Sequence, residues 1–162
     1  MDRGIKHACL THENDWSAAR LFGVQQAQQV RAFHASLPSY SPTALRRLGG
    51  LSEKLGLGAV YVKDESTRFG LNAFKGLGGS YCVARLIADL AGIPEGELSF
   101  ARLQEDDALQ IARGLTLVTA TDGNHGRGIA WTAREFGCKA VVYMPRGSSL
   151  ERLENIRALG AE

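Results

Sequence analysis

Residues 115–120 (LTLVTA), 124–136 (NHGRGIAWTAREF), 140–144 (AVVYM) and 149–159 (SLERLENIRAL) follow one another with only short breaks. The first and third are short apolar runs bounded by turn residues, the pattern of buried strands. The second and fourth repeat apolar residues at helical spacing, with Ile129, Ala130, Ala133 and Phe136 inward in one and Leu150, Leu153, Ile156 and Leu159 inward in the other. A β-α-β-α order predicts parallel strands joined by crossover helices. The fold class is therefore α/β, a parallel sheet with flanking helices. The run stops at Gly160-Ala161-Glu162, where a helix C-cap glycine hands over to a next strand, so the sheet is expected to be incomplete.

Moving toward the N-terminus, residues 92 to about 107 form a charged connection. Before it, a long helix starts near Phe74. Leu77, Tyr81, Ala84, Ala88 and Ala91 form its apolar stripe, widened by Val83, Ile87 and Leu90, which predicts burial on more than one side. Ala59–Lys63 reads as a strand and Asp64–Asn72 as a polar loop. Ala44–Leu55 reads as a helix or helical turn interrupted at Gly49-Gly50, after turn chemistry at Ser39–Thr43. A helix from Gln25 to Ser36 is stopped by Leu37-Pro38, because a residue preceding proline is pushed out of the helical region. Residues 1 to 24 are weakly patterned.

The composition restricts function. With 44% apolar and 22% charged residues in 162, the chain is an ordinary globular sequence able to bury roughly 70% of its unfolded surface without disulfides or a structural metal. Its net charge is +2, with both signs dispersed, which leaves no footprint for nucleic acid. The most apolar stretches, Cys82–Ala91 and Ala140–Met144, are too short or too charged to span a membrane, and the N-terminus has no apolar signal core. Three cysteines without metal or disulfide spacing suit a reducing cytoplasm. His7, Cys9, His12, Glu13 and Asp15 match no zinc pattern, and a G-x-S-x-G elbow is absent.

Two segments can carry small-molecule chemistry, and both lie where open α/β sheets place ligands, at loops entering helices. In Asn72-Ala73-Phe74-Lys75-Gly76-Leu77-Gly78-Gly79-Ser80, a lysine lies beside glycines at the head of an apolar helix. Desolvation there would weaken its preference for the charged form and expose a nucleophilic amine. The alternative is a solvated lysine in a first helical turn. The glycine run matches neither phosphate-loop pattern, and close helix packing explains it equally well. The second segment, Thr121-Asp122-Gly123-Asn124-His125-Gly126-Arg127-Gly128, brings three glycines to a strand-to-helix corner. These let a flat or anionic group approach the backbone, beside an acid, an amide and an imidazole. Asp122 has two blander readings, as a helix N-cap or as part of an Asp-Gly hairpin, although the helical periodicity that follows argues against the hairpin.

Together these segments resemble the fold type II pyridoxal-phosphate enzymes, the tryptophan synthase β-like group. V-K-D-E-S followed by N-A-F-K is similar to the group's lysine motif, and T-D-G-N-H-G-R-G to its S-x-G-N-H-G-x-G loop. The acid at Asp122, with R-F-G-L-N-A-F-K-G-L-G-G-S-Y and V-R-A-F-H-A-S-L-P-S-Y-S-P-T, resembles the group's diaminopropionate ammonia-lyase branch most closely. The resemblance implies that Lys75 holds pyridoxal 5'-phosphate covalently, that Asn124 hydrogen-bonds the ring 3-oxygen with Gly123 beside it, and that Phe74 packs near the ring. It implies elimination of ammonia from D- and L-2,3-diaminopropionate to give pyruvate, with Lys75 and Asp122 as bases on opposite faces. It also implies a small amino-acid substrate, a homodimeric full-length enzyme, and a division into residues 1–88 of a large cofactor domain and 89–162 of a small one. Members are more than twice as long, and their phosphate loop comes later. The chain is thus expected to be about the first half of such an enzyme, with little activity alone. The alternatives are a threonine or serine dehydratase, and a noncatalytic remnant that needs a partner chain.

Overall fold

The structure, a computed structural model, describes residues 22–162. His7, Cys9, His12, Glu13 and Asp15, and the reading of the N-terminus, lie outside these residues.

Helix α1 (Val24–Ser36) ends where Leu37, ahead of Pro38, turns extended. Strands β1 (Leu45–Arg47) and β2 (Tyr61–Lys63) pair antiparallel, with Leu45 opposite Lys63. Between them lies α2 (Gly49–Leu55), closed by Gly56 at φ 64°. The helix expected over Ala44–Leu55 therefore begins with a strand, and Gly49-Gly50 opens the helix instead of interrupting it. Pairing with β2, a contact 14 or more residues away in sequence, overrides the local preference.

Helix α3 (Lys75–Ala91) buries Gly76, Ser80, Val83, Ala84, Ile87 and Ala88 and ends at Gly92, whose φ of 68° favours glycine. Leu90 is exposed, so the burial stripe is narrower than its apolar residues suggest. Periodicity did not reveal two helices: α4 (Phe100–Leu103) lies within the charged connection, and α5 (Asp106–Gly114) starts at its end and runs beyond it. Ser99 caps the first by accepting from the Arg102 N–H, and Asp106 and Asp107 complement the dipole of the second.

The remainder follows the expected alternation: β3 (Thr116–Ala120), α6 (Asn124–Phe136), β4 (Lys139–Tyr143) and α7 (Leu150–Arg157). β3 and β4 are parallel, with Val118 opposite Val141. The second edge of β4 accepts from and donates to Glu162, through Glu162 N–H to Ala140 O at 3.0 Å and Val142 N–H to Glu162 O at 2.8 Å. Leu150, expected inward, is exposed.

Helix α6 is the centre of the molecule. Trp131 and Phe136 join one core cluster with Phe33, Val83, Ile87 and Leu103. Ala130 and Ala133 join the other, with Ala140, Val142 and Ile156 of the sheet and α7. The first cluster draws on residues from both sides of position 88, a position that itself falls within α3. Among the described residues, no helix is long and apolar enough to cross a membrane.

Candidate active site

The lysine corner begins after β2. Arg68 is buried, and its guanidinium is fully engaged: Nε donates to Glu65 Oε2 at 2.7 Å, Nη2 to Glu65 Oε1 at 3.1 Å and to Thr43 Oγ1 at 3.0 Å, and Nη1 to Ser41 O at 2.8 Å. Hydrogen bonding from Arg68, assisted by Thr43, holds the Glu65 carboxyl at about 2, against the opposing effect of burial. This clamp secures the start of the loop Phe69–Asn72. Phe69 (φ 53°) and Asn72 (φ 54°) both adopt left-handed backbone, uncommon for residues other than glycine. Asn tolerates it through its short polar side chain. Phe69 is held there by stacking on Trp131, with centroids 4.3 Å apart and planes 16° apart. Leu71 and Ala73 are buried, and the chain then enters α3 at Lys75.

Lys75 itself is exposed. Its Nζ lies 4.7 Å from the centroid of the Phe74 ring, which is also exposed. The described residues thus leave the amine in the open, without the desolvation expected from the apolar helix. The first turn of α3 is tied back to α1 by His34, whose Nε2 donates to Leu77 O at 2.8 Å; burial pushes this imidazole below its ordinary pKa. The glycines after Lys75 serve packing. A Cβ on Gly76 would meet Phe69, Leu71 and Trp131 at 3.0–3.3 Å, and one on Gly79 would meet Ile129 and Thr132 at 3.3 and 3.4 Å, while Gly78 is open.

The asparagine corner follows β3. Gly123, not Asp122, occupies the N-cap position of α6, and no side chain caps the helix. The N-cap reading of Asp122 is therefore overturned, and a helix follows where the hairpin reading required a strand. The Asp122 carboxylate instead accepts from Arg152 of α7 at 2.6 Å. The three glycines divide. A Cβ on Gly126 would meet Thr121, Val142 and Ile156 at 3.0–3.1 Å, so this glycine seats α6 on the sheet and α7. Gly123 has nothing within 4 Å and is the one member of the trio open to an approaching group. Asn124 and His125 are exposed beside it.

Gly128 joins the two corners. A Cβ there would lie 3.0 Å from the Lys75 carbonyl carbon and 3.1 Å from the Gly76 nitrogen, so α6 and α3 touch backbone to backbone at the lysine. Asn124 lies four residues before Gly128, about 6 Å along the helix axis. A cleft of about 360 Å³ opens at this end of α6, lined by Asp122, Gly123, Asn124, Arg127 and Arg152 among others. Sequence reasoning did not single out Arg127 or Arg152. Arg127 stands at a variable position of the second motif, and Arg152 lies in no motif and reaches the corner only because α7 folds beside α6. A larger cavity of about 630 Å³ between α1 and α3 includes Leu77 of the lysine segment but not Phe74, Lys75, Asp122, Gly123 or Asn124. Among the described residues, no three His, Cys, Asp or Glu side chains group as a metal site. Cys138 is half-buried, and burial pushes its thiol up to about 11, so it is a poor nucleophile.

A family model described as pyridoxal-phosphate dependent enzyme matches residues 36–162. The chain belongs to this family. Among its pyridoxal-phosphate relatives, the diaminopropionate ammonia-lyase of Salmonella typhimurium is 53% identical over 146 residues, which are 90% of this chain and 36% of that enzyme. The crystal structure of the Escherichia coli diaminopropionate ammonia-lyase in complex with D-serine superposes with a TM-score of 0.76 at 44% identity, covering 88% of this chain and 35% of that one. The biosynthetic L-threonine dehydratase of Haemophilus influenzae is 31% identical over 120 residues, 74% of this chain and 19% of the enzyme. The chain therefore spans 36% or less of the length of these relatives, less than the half expected from motif order. The residues present fit the family's cofactor: an accessible primary amine, an adjacent exposed aromatic ring, an exposed amide, and at Gly123 a backbone with no side chain in the way.

Proposed function

We propose that this chain carries the lysine and asparagine corners of a pyridoxal-phosphate-dependent lyase that removes ammonia from D- and L-2,3-diaminopropionate to give pyruvate. The observation that supports this reading is the backbone contact between Gly128 and Lys75, which packs the helix that Asn124 opens against the helix that Lys75 opens. Identity to diaminopropionate ammonia-lyase, at 53% against 31% for the threonine dehydratase, supports it over a threonine or serine dehydratase.

When bound, the cofactor supplies an electron sink for charge developing at the substrate Cα. Lys75 would hold it through its side-chain amine and, as a free amine, would take the Cα proton on one face. Asn124 would donate from its side-chain amide to the ring oxygen, Phe74 would pack near the ring, and Gly123 would allow close backbone approach. Enantiomers that lose the Cα proton from opposite faces need a base on each face, and Asp122 is the second. An acid at this position is what a dehydratase confined to one enantiomer does not need. In the whole protein we place residues 1–88 in a larger lobe and 89–162 in a smaller one, and we expect a cytoplasmic homodimer. The 162-residue chain alone should show little lyase activity, because the cradle for a dianionic phosphate is not among the residues singled out here.

Incubation with pyridoxal phosphate, borohydride reduction and peptide mapping should place the label on Lys75. Labelling spread over surface lysines, or absent from folded protein, overturns the site. In a full-length enzyme carrying these residues, Asp122→Asn should impair the D-substrate far more than the L-substrate, and equal losses would remove Asp122 as the second base.

A further inference from the structure

Arg152 stands in the first turn of α7, where a cation opposes the helix dipole, and its backbone N–H is already satisfied by the Ser149 side chain at 3.4 Å. Helix stability does not account for an arginine here. Its guanidinium leaves the helix and donates from Nη1 to Asp122 Oδ2 at 2.6 Å, thirty residues back in the chain. Among the described residues this is the one ion pair that includes a residue of the proposed site. With side chains 57% and 39% exposed, the pair contributes little to folding, since solvent screens such contacts.

The pair does supply direction. Asp122 has no other side-chain hydrogen bond among the described residues, so Arg152 alone fixes its rotamer. The contact uses Oδ2 and leaves Oδ1 without a partner. Both residues line the cleft that contains Asn124. Arg127, the other guanidinium of that cleft, makes no bond to Asp122.

We propose that Arg152 is a positioning residue that aims the Asp122 carboxylate at the substrate Cα and thereby determines whether the D-isomer is used. The proposal rests on the lyase reading above. In the step concerned, the Cα–H bond breaks, its electron pair stays on carbon, and the proton passes to Oδ1, leaving Asp122 neutral beside the unchanged Arg152 cation. A base displaced by about 1 Å can lose on the order of 100-fold in rate, so the effect should be large and confined to the face that Asp122 serves.

The test grafts residues 1–162 in place of the homologous stretch of the Salmonella typhimurium enzyme. Arg152→Ala should lower kcat/KM for D-2,3-diaminopropionate by about 10- to 100-fold and leave the L-isomer within about 3-fold. Arg152→Lys should restore most of the loss, because a single-point contact needs only a cation in reach. Adding Asp122→Asn to Arg152→Ala should cause no further multiplicative loss. In cofactor-free protein, Asp122→Asn should shift the Arg152 side-chain Hη resonances. Equal losses on both isomers, no rescue by lysine, multiplicative losses in the double variant or unmoved Hη signals each overturn the positioning role. A folded graft inactive on both isomers overturns the lyase reading beneath it.

Discussion

The lysine corner and the asparagine corner are built to opposite standards of rigidity. Before Lys75, a buried arginine with its donors engaged, a stacked Phe69–Trp131 pair and two left-handed residues define one path for the chain. Around Asn124, the backbone rests on packed glycines, but the functional side chains are exposed, and the acid is held by one solvent-accessible ion pair. A residue that bonds covalently to a ligand gains from a fixed origin, whereas a residue that must accept and release a proton gains from a contact that can be remade. The difference indicates that structural damage should spread from the first corner and selective functional damage from the second.

Breaking the rigid corner should give the largest effect. Trp131→Ala removes a fully buried ring that supports Phe69 and fills the first core cluster, and should cost about 3–5 kcal/mol in denaturant unfolding. A loss below about 1 kcal/mol would show that the stack is not what holds the loop.

Glu65→Gln attacks the same corner through charge. The folded carboxyl stands near 2, below its ordinary 4.5, so its contribution is fully present above about 4.5 and is lost as pH falls through 2. With allowance for solvent screening, the variant should be about 1–2 kcal/mol less stable at pH 7. The gap to wild type should close between pH 4.5 and 2. A gap that stays constant with pH would separate the clamp from the ionisation of Glu65.

The seam between the corners offers the finest comparison, in two alanine substitutions of opposite sign. Gly128→Ala places a methyl 3.0 Å from Lys75 backbone that cannot yield, and overpacking should outweigh the gain in helix propensity by about 1 kcal/mol. Gly78→Ala meets nothing within 4 Å and should stabilise by about 1 kcal/mol. Reductive labelling of Lys75 should fall in the first variant and persist in the second. Two changes of the same sign would mean that α3 and α6 do not meet at Gly128.

Most of the second half of the fold could be read before any coordinates. The strand and helix periods over residues 115–159 are local, and each element forms where its pattern places it, although Val118, Tyr143 and Leu150 are exposed and β3 buries none of its residues. The strand Leu45–Arg47 was hidden because its partner lies across α2, the four-residue α4 because it is too short to show a period, and α5 because the residues it buries, Ala108 and Ala112, are small and follow an acidic first turn. The motifs around Lys75 and Asn124 were legible because each runs through consecutive residues. The exposure of Lys75 was not, since it depends on what does not pack against it.

What the sequence determined by itself is the kind of chemistry and the order of elements, because motif chemistry and hydrophobic period are properties of neighbouring residues. Tertiary structure alone decided which of three glycines stays open, that Asp122 faces an arginine instead of capping a helix, and that Gly128 meets the backbone of Lys75. Each depends on which surfaces come within a few ångströms after the chain closes, and no local pattern encodes a contact between residues thirty or fifty positions apart.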